Sequence, residues 1–289
     1  MSIPTNGIQV AAPSSKGKNV FFTSGSKTNA DKLEEGLTAL DLASFAPKQN
    51  SKLVALHQAL KSVCGSKHRL VRPLIGERGY AIVKETKDGS GQSLSHGVDF
   101  DALMPHDSDF PVFRDSTGNY FQPDEGDRII HRFQVEKERV QAAAISKALV
   151  NIIDKFHGTS LRPSGGIYWL PQGAIETFDK VAKCFQDACE DGTNKIYFQT
   201  TVLDDDLTES VIAGLTQSVE MEVNQMTADL RDNNPGKRAK KTKAERCNRL
   251  LARIAGYEKM FSVSLKELQA QVSTVEGQAM MATFSTMGV

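Results

Sequence analysis

Residues 160–171 read SLRPSGGIYWLP, and this stretch decides how the chain divides into strands and helices. Pro163 fixes its own φ and pushes Arg162 toward an extended conformation. Gly165-Gly166 admits positive φ, or the close approach of another backbone. Ile167, Tyr168, Trp169 and Leu170 then form an apolar, β-prone run that Pro171 ends. This is the chemistry of a turn feeding a buried strand. Trp169, the single tryptophan, is expected to pack one face and donate its N–H to a partner.

The same run also suits an anion cradle, with Gly165 and Gly166 offering backbone N–H groups and Arg162 as the counter-charge. The glycines precede a strand instead of opening a helix after one, and no GxxxxGKS or GxxxxGKT accompanies them, which argues against a phosphate loop. A structural turn and a small-ligand cradle therefore both stand at this level.

Outward from this stretch the hydrophobic period alternates between two values. Upstream, Val140, Ala144, Ile145, Ala148, Leu149, Ile152 and Phe156 place a helix over about 136–156, with Gly158 as its cap. Downstream, Ile175, Phe178, Ala182, Phe185 and Cys189 mark a second helix, closed by Gly192, and KIYFQTTVL at 195–203 alternates like a strand. RIIHRFQV at 128–135 reads as another strand. Residues 69–122 break into short β-prone pieces separated by GERG and DSTG, which have hairpin-turn chemistry, so a small antiparallel meander is expected. Before it, Asn29 or Asp31 can cap a helix beginning near Lys32, and a helix from Ser51 through Val63 aligns Leu53, Leu56, Leu60 and Val63.

The two flanks differ in kind. Residues 1–30 are rich in Ser, Gly, Thr, Asn and Lys and read as a flexible arm. Residues 207–231 and 240–272 are long helical patterns joined by RDNNPGKR. In the second, Cys247, Ile254, Phe261 and Leu268 recur every seven residues, which predicts a helical hairpin of coiled-coil character. The expected fold is α+β: a small antiparallel or mixed sheet with packed helices at 31–203, the hairpin at 204–275, and a loosely held tail at 276–289.

The pattern RPxGGxYxxP, set between two amphipathic helices, resembles a group of bacterial and phage proteins without an assigned activity. VRPLIGERGYAIVKE is similar to the segment that precedes the pattern in that group. The resemblance spans about 69–200 and implies a prokaryotic or phage origin. It supplies no catalytic residue.

Bulk properties limit the function classes. The chain has 289 residues with 35 basic and 35 acidic side chains, so no global field draws it to nucleic acid or membrane. No stretch approaches the roughly 18 apolar residues of a membrane helix, and the first twenty lack a signal peptide's apolar core. The four cysteines, Cys64, Cys184, Cys189 and Cys247, form no CxxC, and free thiols in a reducing cytoplasm are expected. No cofactor and no resident metal is expected.

Three functional readings follow. The first is a non-enzymatic interaction or scaffold protein that self-associates or docks on a larger assembly through the seam Leu250, Ile254, Tyr257, Phe261, Leu265 and Leu268. The second is nucleic-acid binding through Lys237, Arg238, Lys240, Lys241, Lys243, Arg246 and Arg249, since 237–253 carries net +7. Against that, 204–232 carries net −7, and Glu220, Glu222, Asp229 and Asp232 lie where an antiparallel partner helix would offset the basic run. The third is metal-dependent hydrolysis by Asp99, Asp101, Asp107, Asp109, His96 and His106, or by the Asp204-Asp205-Asp206 run. Solvated turns and a helix cap explain those same residues without chemistry.

Overall fold

A computed structural model describes residues 17–65, 69–87, 93–162, 165–200, 204–232 and 237–284. In chain order the elements begin β1 (Gly17–Thr23), β2 (Thr28–Asn29), α1 (Ala30–Thr38), α2 (Lys52–Val63), β3 (Arg69–Pro73), β4 (Gly79–Lys87), β5 (Ser93–Leu103) and β6 (Val112–Arg114). They continue with α3 (Gly126–Lys137), β7 (Arg139–Val140), α4 (Ala142–Lys155), β8 (Thr159–Ser160), β9 (Tyr168–Pro171), α5 (Gln172–Asp187) and β10 (Lys195–Thr200). Three long helices follow: α6 (Asp205–Asp232), α7 (Lys237–Phe261) and α8 (Lys266–Phe284). Helices and antiparallel sheets together make the fold α+β.

The chain forms two compact units, and neither is continuous in sequence. Among the described residues, one draws on Gly17–Thr23, on Leu149–Lys180 and on those from Lys195 onward; the other draws on those of Ser24–Ala148 and Val181–Asn194. The expected split into 31–203 and 204–275 is replaced by this interleaving.

In the unit built on Ser24–Ala148, the predicted meander is present as the antiparallel sheet β3-β4-β5-β6. Its apolar side carries Ile82, Phe100, Ala102 and Phe113, packed with Leu56 and Leu60 of α2 and Ile129 and Phe133 of α3. A bulge beside Ile82 and Val83 leaves Asp99 without a partner in the ladder. Ser51 caps α2 and Asn29 caps α1, each accepting a backbone N–H three residues on. Residues 128–135 are helical, where alternation suggests a strand. The buried positions of α3 include Ile129, Phe133 and Glu136, spacings of four and three that belong to a helix. The long helix expected over 136–156 is correspondingly divided among α3, β7 and α4.

The other unit is built on the sheet β10-β1-β9-β8. Here the expected arm at 1–30 is corrected, because Gly17–Thr23 is an interior strand paired with both β9 and β10. Residues 1–16 lie outside the described residues. One face carries Val20, Phe22, Tyr168, Ile196 and Phe198, with Phe178 of α5 stacked edge-on to Phe198 at 6.0 Å and to Phe156 at 6.5 Å. On the opposite face Trp169 joins a core with Val211, Leu215 and Val219 of α6, Cys247, Leu250, Ile254 and Tyr257 of α7, and Leu268 and Val272 of α8.

The C-terminal region is three helices rather than a hairpin and a tail. The heptad pattern crosses a break at 262–265, where Ser262 takes φ 57°. Glu258 clamps the break, accepting the Leu265 N–H and the Gln269 side-chain amide, both at 2.6 Å. Residues 276–284 belong to α8.

Helix α6 lies so close to β8 that a Cβ on Gly214 would sit 2.2 Å from the Ser160 carbonyl oxygen. Gly256, on α7, has nothing within 4 Å of the same position. Gly214→Ala should therefore destabilise by about 1–3 kcal/mol through overpacking, despite alanine's better helix propensity. Gly256→Ala should stabilise by up to about 1 kcal/mol. Urea unfolding of the two variants checks the opposite signs.

Candidate functional site

Arg162, Gly165 and Gly166 belong to the connection between β8 and β9. Leu161 and Ile167 close its base, and Gly165 and Gly166 take φ 70° and 92°, the positive values that glycine permits. Pro163 and Ser164 lie outside the described residues. Arg162 folds back on its own loop: its Nε donates to the Gly165 carbonyl, and its guanidinium lies over Gly166, where a Cβ would meet Nη2 at 2.5 Å. The guanidinium is thereby engaged in closing the turn.

The basic run is only partly within view. The side chains of Lys237, Arg238, Lys240 and Lys241 lie outside the described residues. Lys243 reaches Asp229 at 3.4 Å, and Arg246 donates to Glu222 at 2.6 Å, so the acidic face of α6 offsets α7 at these positions. Arg249 is exposed. Asp229 is held below its ordinary value first by the Gln225 amide and then by Lys243 and Arg246.

The seam residues face inward. Leu250, Ile254, Tyr257 and Leu268 are buried in the core around Trp169, and Phe261 and Leu265 pack against it half-buried. The chain's own helices and sheet occupy this stripe, where an outward seam is expected from the sequence.

The aspartates and histidines between 96 and 109 are mostly tied to cations. Asp99 binds Arg69 at 2.5 Å and Lys84 at 2.9 Å, Asp101 binds Arg114 at 2.8 Å, and Asp109 binds Lys52 at 2.9 Å. Arg78 lies 2.6 Å from Nδ1 of His106. Asp204 caps α6 through the Leu207 N–H at 2.7 Å. Among the described residues, no three His, Cys, Asp or Glu side chains group as metal ligands. The cysteines are free thiols, and burial pushes Cys64 up to about 11.

A buried polar network at the end of α4 was not recognised from the sequence. His157, at φ 59°, and Gly158 form the helix stop, with the Gly158 N–H on Ile153 and the His157 N–H on Asp154. Two side chains of α7 then take the exposed carbonyls: Arg253 donates Nη2 to Gly158, and Tyr257 donates its hydroxyl to His157 at 2.6 Å. Trp169 meets Tyr257 edge-on and Phe261 at a tilt, at ring distances of 5.8 and 5.5 Å. Its Nε1, expected to find an acceptor, has none, and Oδ1 of Asn19 and Oγ1 of Thr159, in the same row across β1, β9 and β8, also lack partners. Burial pushes the Tyr257 phenol up against the opposing pull of Arg253. A sequence signal existed: Arg253 lies three residues after Leu250 and four before Tyr257, on the apolar stripe and off the charged face.

Open surface is found on the outer side of α6 and α8. Two adjoining grooves of about 410 and 310 Å³ share Glu220 and Gln271; Asn224, Thr227, Thr274 and Gln278 border the first, and Thr216, Ser264, Lys266 and Glu267 the second. Met221, Met280 and Met281 stand exposed on the same helices. From Leu268 to Phe284 the single charged residue is Glu276.

A family model covers residues 17–286, and so embraces both units and this groove-bearing layer. The chain belongs to the family of unknown function DUF6744. For this DUF6744 member, no curated protein and no solved structure gives a match. Among its described residues, no helix is long and apolar enough to cross a membrane.

His157 is held below its ordinary value of 6.5, first by burial and then by Arg253 and Lys155. The unfolded chain therefore takes up this proton first as pH falls. The stability contributed by neutral His157 is complete above its unfolded value and is lost as pH drops through the folded one. His157→Asn, which keeps a residue tolerant of φ 59°, should flatten the decline in urea midpoint between roughly pH 7 and pH 5. An unchanged decline contradicts this.

Proposed function

We propose that this chain is a non-enzymatic interaction protein of bacterial or phage origin that works in the cytoplasm by docking its α6/α8 surface on a larger assembly. One observation carries the proposal. Between α6 and α8 lie two adjoining grooves, and the one of about 410 Å³ is lined by amide, hydroxyl and valine side chains with Glu220 as its one charged residue; Met221, Met280 and Met281 stand exposed on the same two helices. Interface centres are depleted of charge, and methionine adapts readily to a partner's shape. A scaffold role also fits the engagement of Asp99, Asp101, Arg162 and Asp204 in internal pairs, which leaves the hydrolase and cradle readings little support. The nucleic-acid reading is weakened where Lys243 and Arg246 meet Asp229 and Glu222.

A photo-crosslinking residue at Asn224 or Gln271, introduced in cells of a native host, should capture one discrete protein adduct. The same probe at exposed Lys48 should capture none. Absence of any adduct from both groove positions, with the protein expressed and folded, would contradict the proposal.

A further inference from the structure

Strand β10 is an edge. Its inner side pairs with β1 over Lys195–Thr23 to Thr200–Lys18, and no strand lies on its other side among the described residues. Edge strands ordinarily carry proline, a bulge or charges that discourage pairing. KIYFQT has no proline, and its lone charge is Lys195 at the first position. Beside it an aromatic pair is left in the open: Phe21 and Tyr197 stack at 5.1 Å while 38% and 43% exposed.

We propose that β10 pairs antiparallel with β10 of a second copy of this chain, joining two four-stranded sheets into one. This rests on the interaction reading above but uses a different surface. The occupant follows from self-complementarity. A two-fold axis at Tyr197 sets Tyr197 opposite itself, Ile196 opposite the other copy's Phe198, and Lys195 opposite the other copy's Gln199. Directly opposed residues of an antiparallel pair share a face. Buried Ile196 and half-buried Phe198 thus continue one apolar face, while Phe21 and Tyr197 of both copies form a four-ring row on the other. No like charges oppose one another. A slip by one residue would set Tyr197 against Phe198 and mix the two faces. The pairing satisfies backbone groups along the edge and uses a contact patch whose side chains already alternate correctly for a continued sheet.

Sedimentation velocity of the full chain should give a concentration-dependent species of twice 31.6 kDa. Gln199→Lys places like charges opposite at two symmetric positions and should raise Kd roughly 2- to 30-fold. Gln199→Glu should lower it by a similar factor. The double variant Lys195→Glu/Gln199→Lys exchanges the partners and should restore dimerisation lost in Gln199→Lys. A strict monomer at high concentration overturns the inference. Shifts of the same sign in Gln199→Lys and Gln199→Glu, or failure of the double variant to recover, also overturn it. A monomer whose groove probes still capture another protein would separate this failure from that of the interaction reading.

Discussion

Arg253 and Tyr257 grip the end of α4, and the unit around β1, β9 and β10 is organised by that grip. A helix end leaves carbonyls without intrahelical partners, and a buried end must find donors elsewhere. Here the donors come from α7, a hundred residues downstream of His157. A cation at a helix C-terminus also meets the negative end of its dipole. The Trp169 ring packs at an angle against Tyr257 and Phe261 from the sheet side. The same few side chains thus satisfy the backbone, fill the core and fix the height of the helical layer over β9. Asp154 remains above its ordinary value because burial outweighs the attraction of Arg253.

This arrangement decides which surfaces are free to act. An apolar stripe that repeats every seven residues suggests an unpartnered coiled-coil face when read alone. In the fold, Trp169 and α6 take up the stripe, and the break at 262–265 turns Leu268 onto a separate helix. What lines the grooves between α6 and α8 is chiefly amide and hydroxyl, together with Glu220, Lys266 and Glu267. A partner that covers such a surface must supply hydrogen bonds to those groups.

Much of the fold is legible from local chemistry. Asn29 and Ser51 announce helix starts because the capping side chain acts within three residues. GERG and DSTG mark turns because glycine supplies the backbone freedom at Gly76 and Gly118. Strand β1 is not legible in this way. Its partners lie about 150 to 180 residues away, so its local composition resembles a linker. Segment 128–135 carries adjacent isoleucines that suit either period, and its burial is settled by α2 and the sheet. The candidate sites divide similarly. The offset of Arg246 and Lys243 by α6 acids follows from pairing two oppositely charged helices. The Arg253–Gly158 contact does not, because it depends on where β9 sets α7.

Native-state hydrogen exchange tests the central claim, that the C-terminal helices are an integral part of the β1-β9-β10 core. Amides in β9 and in the middle of α7 should exchange through one common opening, with the same free energy and the same denaturant dependence. Exchange of α7 at low free energy, while β9 keeps full protection, would contradict it.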